Sequence, residues 1–196
     1  MSILPTLGII DSVIFHAVNR LPHTPITDIL ALTLSGSGTY GLLFVGAAAI
    51  LFLLEEERDH LFMFPLTASI MVTYVVIELL AKPFFSRLRP VYTQLATIQV
   101  QYPWGNESYS FPSGHAAFAF ALLAILVPRF RKYTWFFMVM AVLISFTRIY
   151  LGRHFPSDVV VGAIMGYCIG AGIRKLWETS PWAKSPLKYK SGKLKR

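Results

Sequence analysis

The sequence predicts an all-α, polytopic membrane bundle: about five spanning helices preceded by an amphipathic helix in the membrane interface, in one domain covering residues 1–196. Three observations predict it. Of 196 residues, 55% are hydrophobic and only 14% charged, with a mean hydropathy of +0.55, far too apolar for a soluble domain of this size. Apolar stretches recur at the length that crosses a bilayer, about 20 residues at roughly 1.5 Å each. The lone cysteine, Cys168, lies inside one of them, so neither a disulfide framework nor a cysteine zinc site organises the chain.

The first element is residues 7–21. Ile10, Ile14, Phe15 and Val18 fall at helical spacing, while Asp11, His16, Asn19 and Arg20 interrupt them, the pattern of an interfacial helix; a sixth span is the alternative. No basic residue precedes the apolar part and no small-residue cleavage site follows it, which argues against a cleaved signal. Ile26 to Leu54 exceeds one span, and its SGSG at 35–38 marks either a break or an interfacial first turn. Residues 61–81, 133–151 and 156–177 are clear spans. Ser113 to Pro128 is short and relies on tilt, thinning or burial among neighbours. Gly162, Gly166 and Gly170 repeat every four residues on the last helix, which brings another helix close, within the bundle or in a dimer.

Five spans place the loop 82–112 and the turn near 149–155 on one side. Loops 55–60 and 128–132 and the basic tail 178–196 fall on the other. That second side holds Arg58, Arg129, Arg131, Lys132, Arg174, Lys175 and the tail's Lys184, Lys188, Lys190, Lys193, Lys195 and Arg196. By the positive-inside rule it is cytoplasmic, and the long loop is extracytoplasmic. The chain is thus expected in the cell membrane with its active site facing outward. The tail also supplies much of the +8 net charge; its natural partners are anionic lipids rather than nucleic acid.

Most of the remaining charge clusters in KPFFSRLRP (82–90), PSGH (112–115) and TRIYLGRHFPSD (147–158), each at a predicted helix end on the same side. Lys82, Arg89 and Arg148 are cations at membrane depth, where charge defaults to function, and together they call for an anion such as phosphate or pyrophosphate, which arginine grips with its planar fork. Pro112 and Ser113 open a helix whose first N–H groups also suit an anion, with Gly114 removing a side chain from the approach. Pro156 starts the next helix and puts Asp158 four residues after His154, able to fix the imidazole tautomer and leave the other nitrogen as a nucleophile. His154 would attack phosphorus, the cations and N–H groups would stabilise the equatorial oxygens, and His115 would protonate the leaving oxygen and then activate water. No acidic cluster suggests a metal, and no cofactor is expected. Glu78, four residues before Lys82, positions that lysine. Arg87 and Arg153 are candidates for headgroup contacts.

These segments resemble the signature of the type 2 phosphatidic acid phosphatase superfamily: K-x6-RP (Lys82, Arg89, Pro90), PSGH (Pro112 to His115) and SR-x5-H-x3-D (Arg148, His154, Asp158). Every spacing is met. Thr147 replaces the family's serine and keeps its hydroxyl. The resemblance implies phosphate binding by Lys82, Arg89, Arg148 and the Ser113 and Gly114 backbone, with His115 as acid, His154 as nucleophile and Asp158 as its partner. Some vanadate-dependent haloperoxidases share the signature, but they are soluble, against five spans here. It further implies a metal-independent lipid phosphatase acting on undecaprenyl pyrophosphate, lipid A 1-phosphate or phosphatidylglycerophosphate. A lipid-to-lipid phosphotransferase using the same phosphohistidine is the rival, and a transporter or structural membrane protein the third class. Selectivity among lipids is expected in loop 91–111, with Tyr92, Tyr102, Trp104 and Tyr109.

Overall fold

A computed structural model describes residues 3–54, 60–93 and 109–181. Among these described residues seven helices make the bundle: α1 (Ile3–Asn19), α2 (Pro25–Ser37), α3 (Leu42–Leu54), α4 (Met63–Phe85), α5 (Gly114–Arg129), α6 (Thr134–Tyr150) and α7 (Pro156–Thr179). Helices α4 and α7, together with α6 and its short lead-in from Arg131, are long and apolar enough to span a membrane. Helices α2 and α3 form one broken span bent by 58°. The break falls at the predicted SGSG: Tyr40 and Gly41 both take positive φ, and Gly38 lies so close to Ile144 of α6 that a Cβ there would collide with that side chain.

The fifth expected span is α5, and its shortness has a structural cause. It is the central helix, with eleven of its sixteen residues buried, so its ends need not reach the membrane surfaces on their own. Its tightest neighbour is α7. Added Cβ atoms at Gly162, Gly166 and Gly170 would run into the backbone of Ser113, Ala117 and Ala121 of or beside α5. The glycine repeat is therefore consumed inside the chain. Phe44, Leu66, Leu122, Leu126, Phe137 and Ile144 complete the core around α5. The outward faces are apolar as well, with Trp135, Val142, Ile164 and Leu176 more than half exposed, as lipid contact requires.

Helix α1 is amphipathic, but its polar positions do not face water. Asp11, Phe15 and Asn19 point inward and are buried, while Ile9, Ile10, Val13 and Ile14 are exposed. Asn19 donates to the carbonyl of Tyr150 at 3.0 Å, and Phe15 packs on Phe155. Two of the interruptions in its apolar pattern, Asp11 and Asn19, are contacts that dock it on α7 and α6.

Candidate active site

Four helix ends converge at one pole of the bundle: the end of α4 with Lys82, the start of α5, the end of α6 with Arg148, and the start of α7. Helix α4 turns π-helical over Tyr74–Ala81, a distortion frequent at functional sites, and delivers Glu78 and Lys82 into a 2.6 Å ion pair. Lys82, Arg89, Arg148, His154 and Asp158 are all buried.

The turn Leu151–Phe155 holds His154 at the centre. Its backbone N–H and that of Arg153 both donate to the carbonyl of Arg148, which folds the turn over the end of α6. Nδ1 of His154 lies 2.7 Å from the carbonyl oxygen of Ser110. A carbonyl can only accept, so Nδ1 carries the proton and Nε2 keeps its lone pair. Nε2 in turn lies 3.2 Å from Nη1 of Arg89, which also donates to the Arg153 carbonyl. Burial pushes the imidazole well below its ordinary range, and the charges of Arg89, Arg148 and Lys82 push it further. His154 is accordingly neutral, with Nε2 unprotonated and its lone pair accepting from Arg89.

Two sequence expectations change here. Asp158 does not grip the histidine directly: its Oδ2 stands 3.7 Å from Nδ1, beyond hydrogen-bond reach. Instead Oδ2 accepts from the Phe155 N–H at 2.8 Å and from the Ser110 hydroxyl, so Ser110 lies between the two. The second change concerns Arg87, expected at a headgroup. Its Nη1 donates to Asp158 Oδ1 at 2.6 Å and to Ser157 Oγ at 2.7 Å, and its Nη2 to Asp11 Oδ2 at 2.6 Å. The guanidinium lies 4.1 Å over the Phe155 ring. It is only partly exposed, and its polar contacts are with the protein. Arg153 is half-buried and contributes its backbone to the turn.

The start of α5 is also used differently from the expectation. The Ser113 N–H donates to the Asp158 carbonyl at 2.9 Å, so it is committed to the fold, whereas the following N–H groups of the first turn have no intrahelical acceptor. The Ser113 hydroxyl is buried with no partner among the described residues. A Cβ on Gly114 would collide with Glu78 Oε1, so a side chain there would displace the carboxylate that pairs with Lys82. Thr147 donates to the Ile144 carbonyl, a local bond that serine would also make.

His115 and His154 line one small cavity with Thr39, Tyr40, Glu78, Lys82, Gly114 and Phe118. Its volume, about 20 Å³, admits little more than a water. The Thr39 hydroxyl lies 3.3 Å from His115 Nε2, and Ser35 accepts from Arg148 Nη1 at 2.6 Å. Thus the break between α2 and α3 forms one wall. Ser110, Ser35, Thr39 and Asp11 were not singled out as site residues in the sequence. Tyr109 is partly exposed beside the site; Tyr102, Trp104, the Tyr92 side chain, Arg58 and residues 182–196 lie outside the described residues. Among the described residues no group of three His, Cys, Asp or Glu is placed to hold a metal ion.

The model of the PAP2 superfamily matches residues 41–182, a stretch that contains all three motif segments. The chain belongs to the PAP2 superfamily. It is similar to a lipid A 4'-phosphatase of Porphyromonas gingivalis, 26% identical over 179 residues that cover 86% of this chain and 74% of that protein. It is also similar to the undecaprenyl-diphosphatase BcrC of Bacillus subtilis, 26% identical over 80% of this chain and 79% of that one. A crystal structure of LpxE from Aquifex aeolicus superposes with a TM-score of 0.67 at 30% identity, covering 83% of this chain and 93% of that one. This PAP2 protein is a helical membrane protein and a lipid phosphatase, hence a hydrolase.

Proposed function

We propose that this PAP2 protein releases a terminal phosphate from a phosphorylated or pyrophosphorylated membrane lipid through a phosphohistidine on His154. The observation that carries the reading is the His154 ring: Nδ1 is tied to the Ser110 carbonyl and Nε2 faces Arg89 inside a buried cationic pocket. Nε2 attacks phosphorus as the bond to the lipid oxygen breaks. Lys82, Arg89, Arg148 and the free N–H groups opening α5 stabilise the equatorial oxygens. His115 gives its proton to the departing oxygen, then takes one from the water that cleaves the phosphorus–nitrogen bond. Fixed cations supply the charge compensation throughout.

Undecaprenyl pyrophosphate, lipid A phosphates and phosphatidylglycerophosphate are the substrates to test first; the first two classes are supported by the names of the relatives. The site faces the extracytoplasmic side of the cell membrane in this reading, supported by Arg129, Arg131, Lys132, Arg174 and Lys175 at the opposite ends of α5, α6 and α7, following the positive-inside rule. The tail 178–196 then meets anionic cytoplasmic headgroups. The deciding experiment is purified protein in detergent against that lipid panel, scored by released phosphate with and without chelator. Phosphate release should persist in chelator and vanish in His154→Ala. Release that survives His154→Ala, or turnover that requires a second lipid as acceptor and frees little phosphate, overturns the hydrolytic phosphohistidine reading.

A further inference from the structure

The buried carboxylate of Asp11 is the least expected feature of the site, because it comes from α1, outside all three motif segments. Its Oδ2 accepts from Arg87 Nη2 at 2.6 Å and from the Ser157 hydroxyl at 2.7 Å, and its Oδ1 accepts from the Ser157 N–H at 2.8 Å. Ser157 opens α7 one residue before Asp158. Arg87 reaches the other way, to Asp158 Oδ1. Asp11 therefore closes a cluster of two carboxylates around one guanidinium, clamped against the start of the helix that carries Asp158.

Charge explains what the clamp does. As Nε2 of His154 attacks, the ring becomes an imidazolium whose Nδ1 proton is held by the Ser110 carbonyl, with Asp158 nearby. Were Asp158 the sole partner of Arg87, the pair would be neutral overall and would offer that imidazolium less. With Asp11 sharing the guanidinium, the cluster keeps one net negative charge. We propose that Asp11 is a positioning residue: acting through Arg87 and Ser157, it holds Asp158 in place and preserves negative charge for the imidazolium that develops on His154. A purely structural role, pinning α1 to the bundle, is the competing explanation, and α1 has other anchors for that in Phe15 on Phe155 and Asn19 on the Tyr150 carbonyl.

The inference rests on His154 being the nucleophile, so its test includes that residue. Full-length wild type, Asp11→Asn, Asp11→Glu, Arg87→Gln, the Asp11→Asn/Arg87→Gln pair and His154→Ala are compared on whichever lipid of the panel wild type turns over. Asp11→Asn keeps the shape and an acceptor for the Ser157 N–H. It should lower kcat about tenfold, a size usual for groups in one hydrogen-bonded network, with KM within about twofold and the thermal unfolding midpoint retained. Asp11→Glu should recover part of kcat. In the Arg87→Gln background, Asp11→Asn should cost little more. An unchanged kcat, a rise in KM alone, a kcat loss that follows the unfolding midpoint, or losses that add in full across the pair would each overturn the proposal. If Arg87→Gln does not fold, the kcat-against-KM split and the glutamate recovery decide. Turnover surviving in His154→Ala overturns the nucleophile assignment and this inference with it; an inactive His154→Ala beside a normal Asp11→Asn overturns this inference alone.

Discussion

Asp158→Asn tests how the His154 tautomer is held. The carboxylate accepts on Oδ2 from the Phe155 N–H and the Ser110 hydroxyl, and on Oδ1 from Arg87. An amide has one acceptor oxygen and one donor nitrogen, so it can satisfy one side only. If its oxygen keeps Phe155 and Ser110, its NH₂ faces the guanidinium and a charge-assisted bond worth about 1.5–3 kcal/mol is lost. That is the stability side. For the barrier, the lost charge stood 3.7 Å from Nδ1. At an effective dielectric near 20 a full unit charge at that distance is worth about 4 kcal/mol, and with roughly half the charge developed on the ring at the transition state about 2 kcal/mol is forfeited. At about 1.4 kcal/mol per decade the fall in kcat is on the order of 30-fold. Loss of a carboxylate that itself fixes a histidine tautomer costs about 10⁴. The smaller figure is expected here because the Ser110 carbonyl holds the Nδ1 proton, and no side-chain substitution removes a carbonyl. The assay is steady-state phosphate release in detergent, with kcat and KM separated and the unfolding midpoint as the control for folding. A well-folded Asp158→Asn protein as inactive as His154→Ala would show that Asp158 itself holds the ring, and the Ser110 argument would fail. A kcat equal to wild type would refute the electrostatic part.

Two further outcomes follow from packing and protonation. Gly166→Ala should lower the unfolding midpoint by several degrees, since its Cβ meets the Ala117 backbone and overpacking costs about 1–3 kcal/mol; Gly172→Ala, with nothing within 4 Å, is the control and should be neutral or slightly stabilising. Because folding depresses the His154 pKa, the unfolded chain binds the proton first as pH falls below its ordinary value of 6.5; stability should therefore decline below that pH. His154→Gln should flatten the decline, and a slope identical to wild type would remove His154 from it.

What the sequence made legible was the part of the site that helix ends deliver. Lys82, Arg89, Arg148, His115 and His154 each stand at or beside the end of an apolar segment, and span parity alone puts those ends at one pole. What it hid was the set of partners. Ser35 and Arg148, or Ser110 and His154, are joined by tertiary packing across tens of positions, with no local spacing to announce them. Asp11 was hidden for a different reason. In water an amphipathic helix turns its polar face outward, so an acid in its pattern looks solvated; in a bilayer lipid takes the apolar face, and the polar positions point to the protein.

That inversion suggests how the missing partner could have been found. A cation packed among helix ends, even one only partly buried as Arg87 is, needs an anionic or hydrogen-bonding counterpart, because desolvating an uncompensated charge is costly. Among the ten acidic residues, Glu55, Glu56, Glu57, Asp59 and Glu178 fall on the basic side by span parity. Glu78 is taken by Lys82, and Asp158 cannot alone satisfy Arg87 and still serve His154. Asp11, Asp28 and Glu107 remain for Arg87, and Asp11 stands four and eight residues ahead of the buried Phe15 and Asn19 on one face of a helix. The i, i+4, i+8 spacing of Asp11, Phe15 and Asn19 is a ridge that faces the bundle. In a membrane protein such a ridge of mixed polarity marks the side that meets protein, and an acid on it is a candidate counter-charge for a nearby arginine such as Arg87.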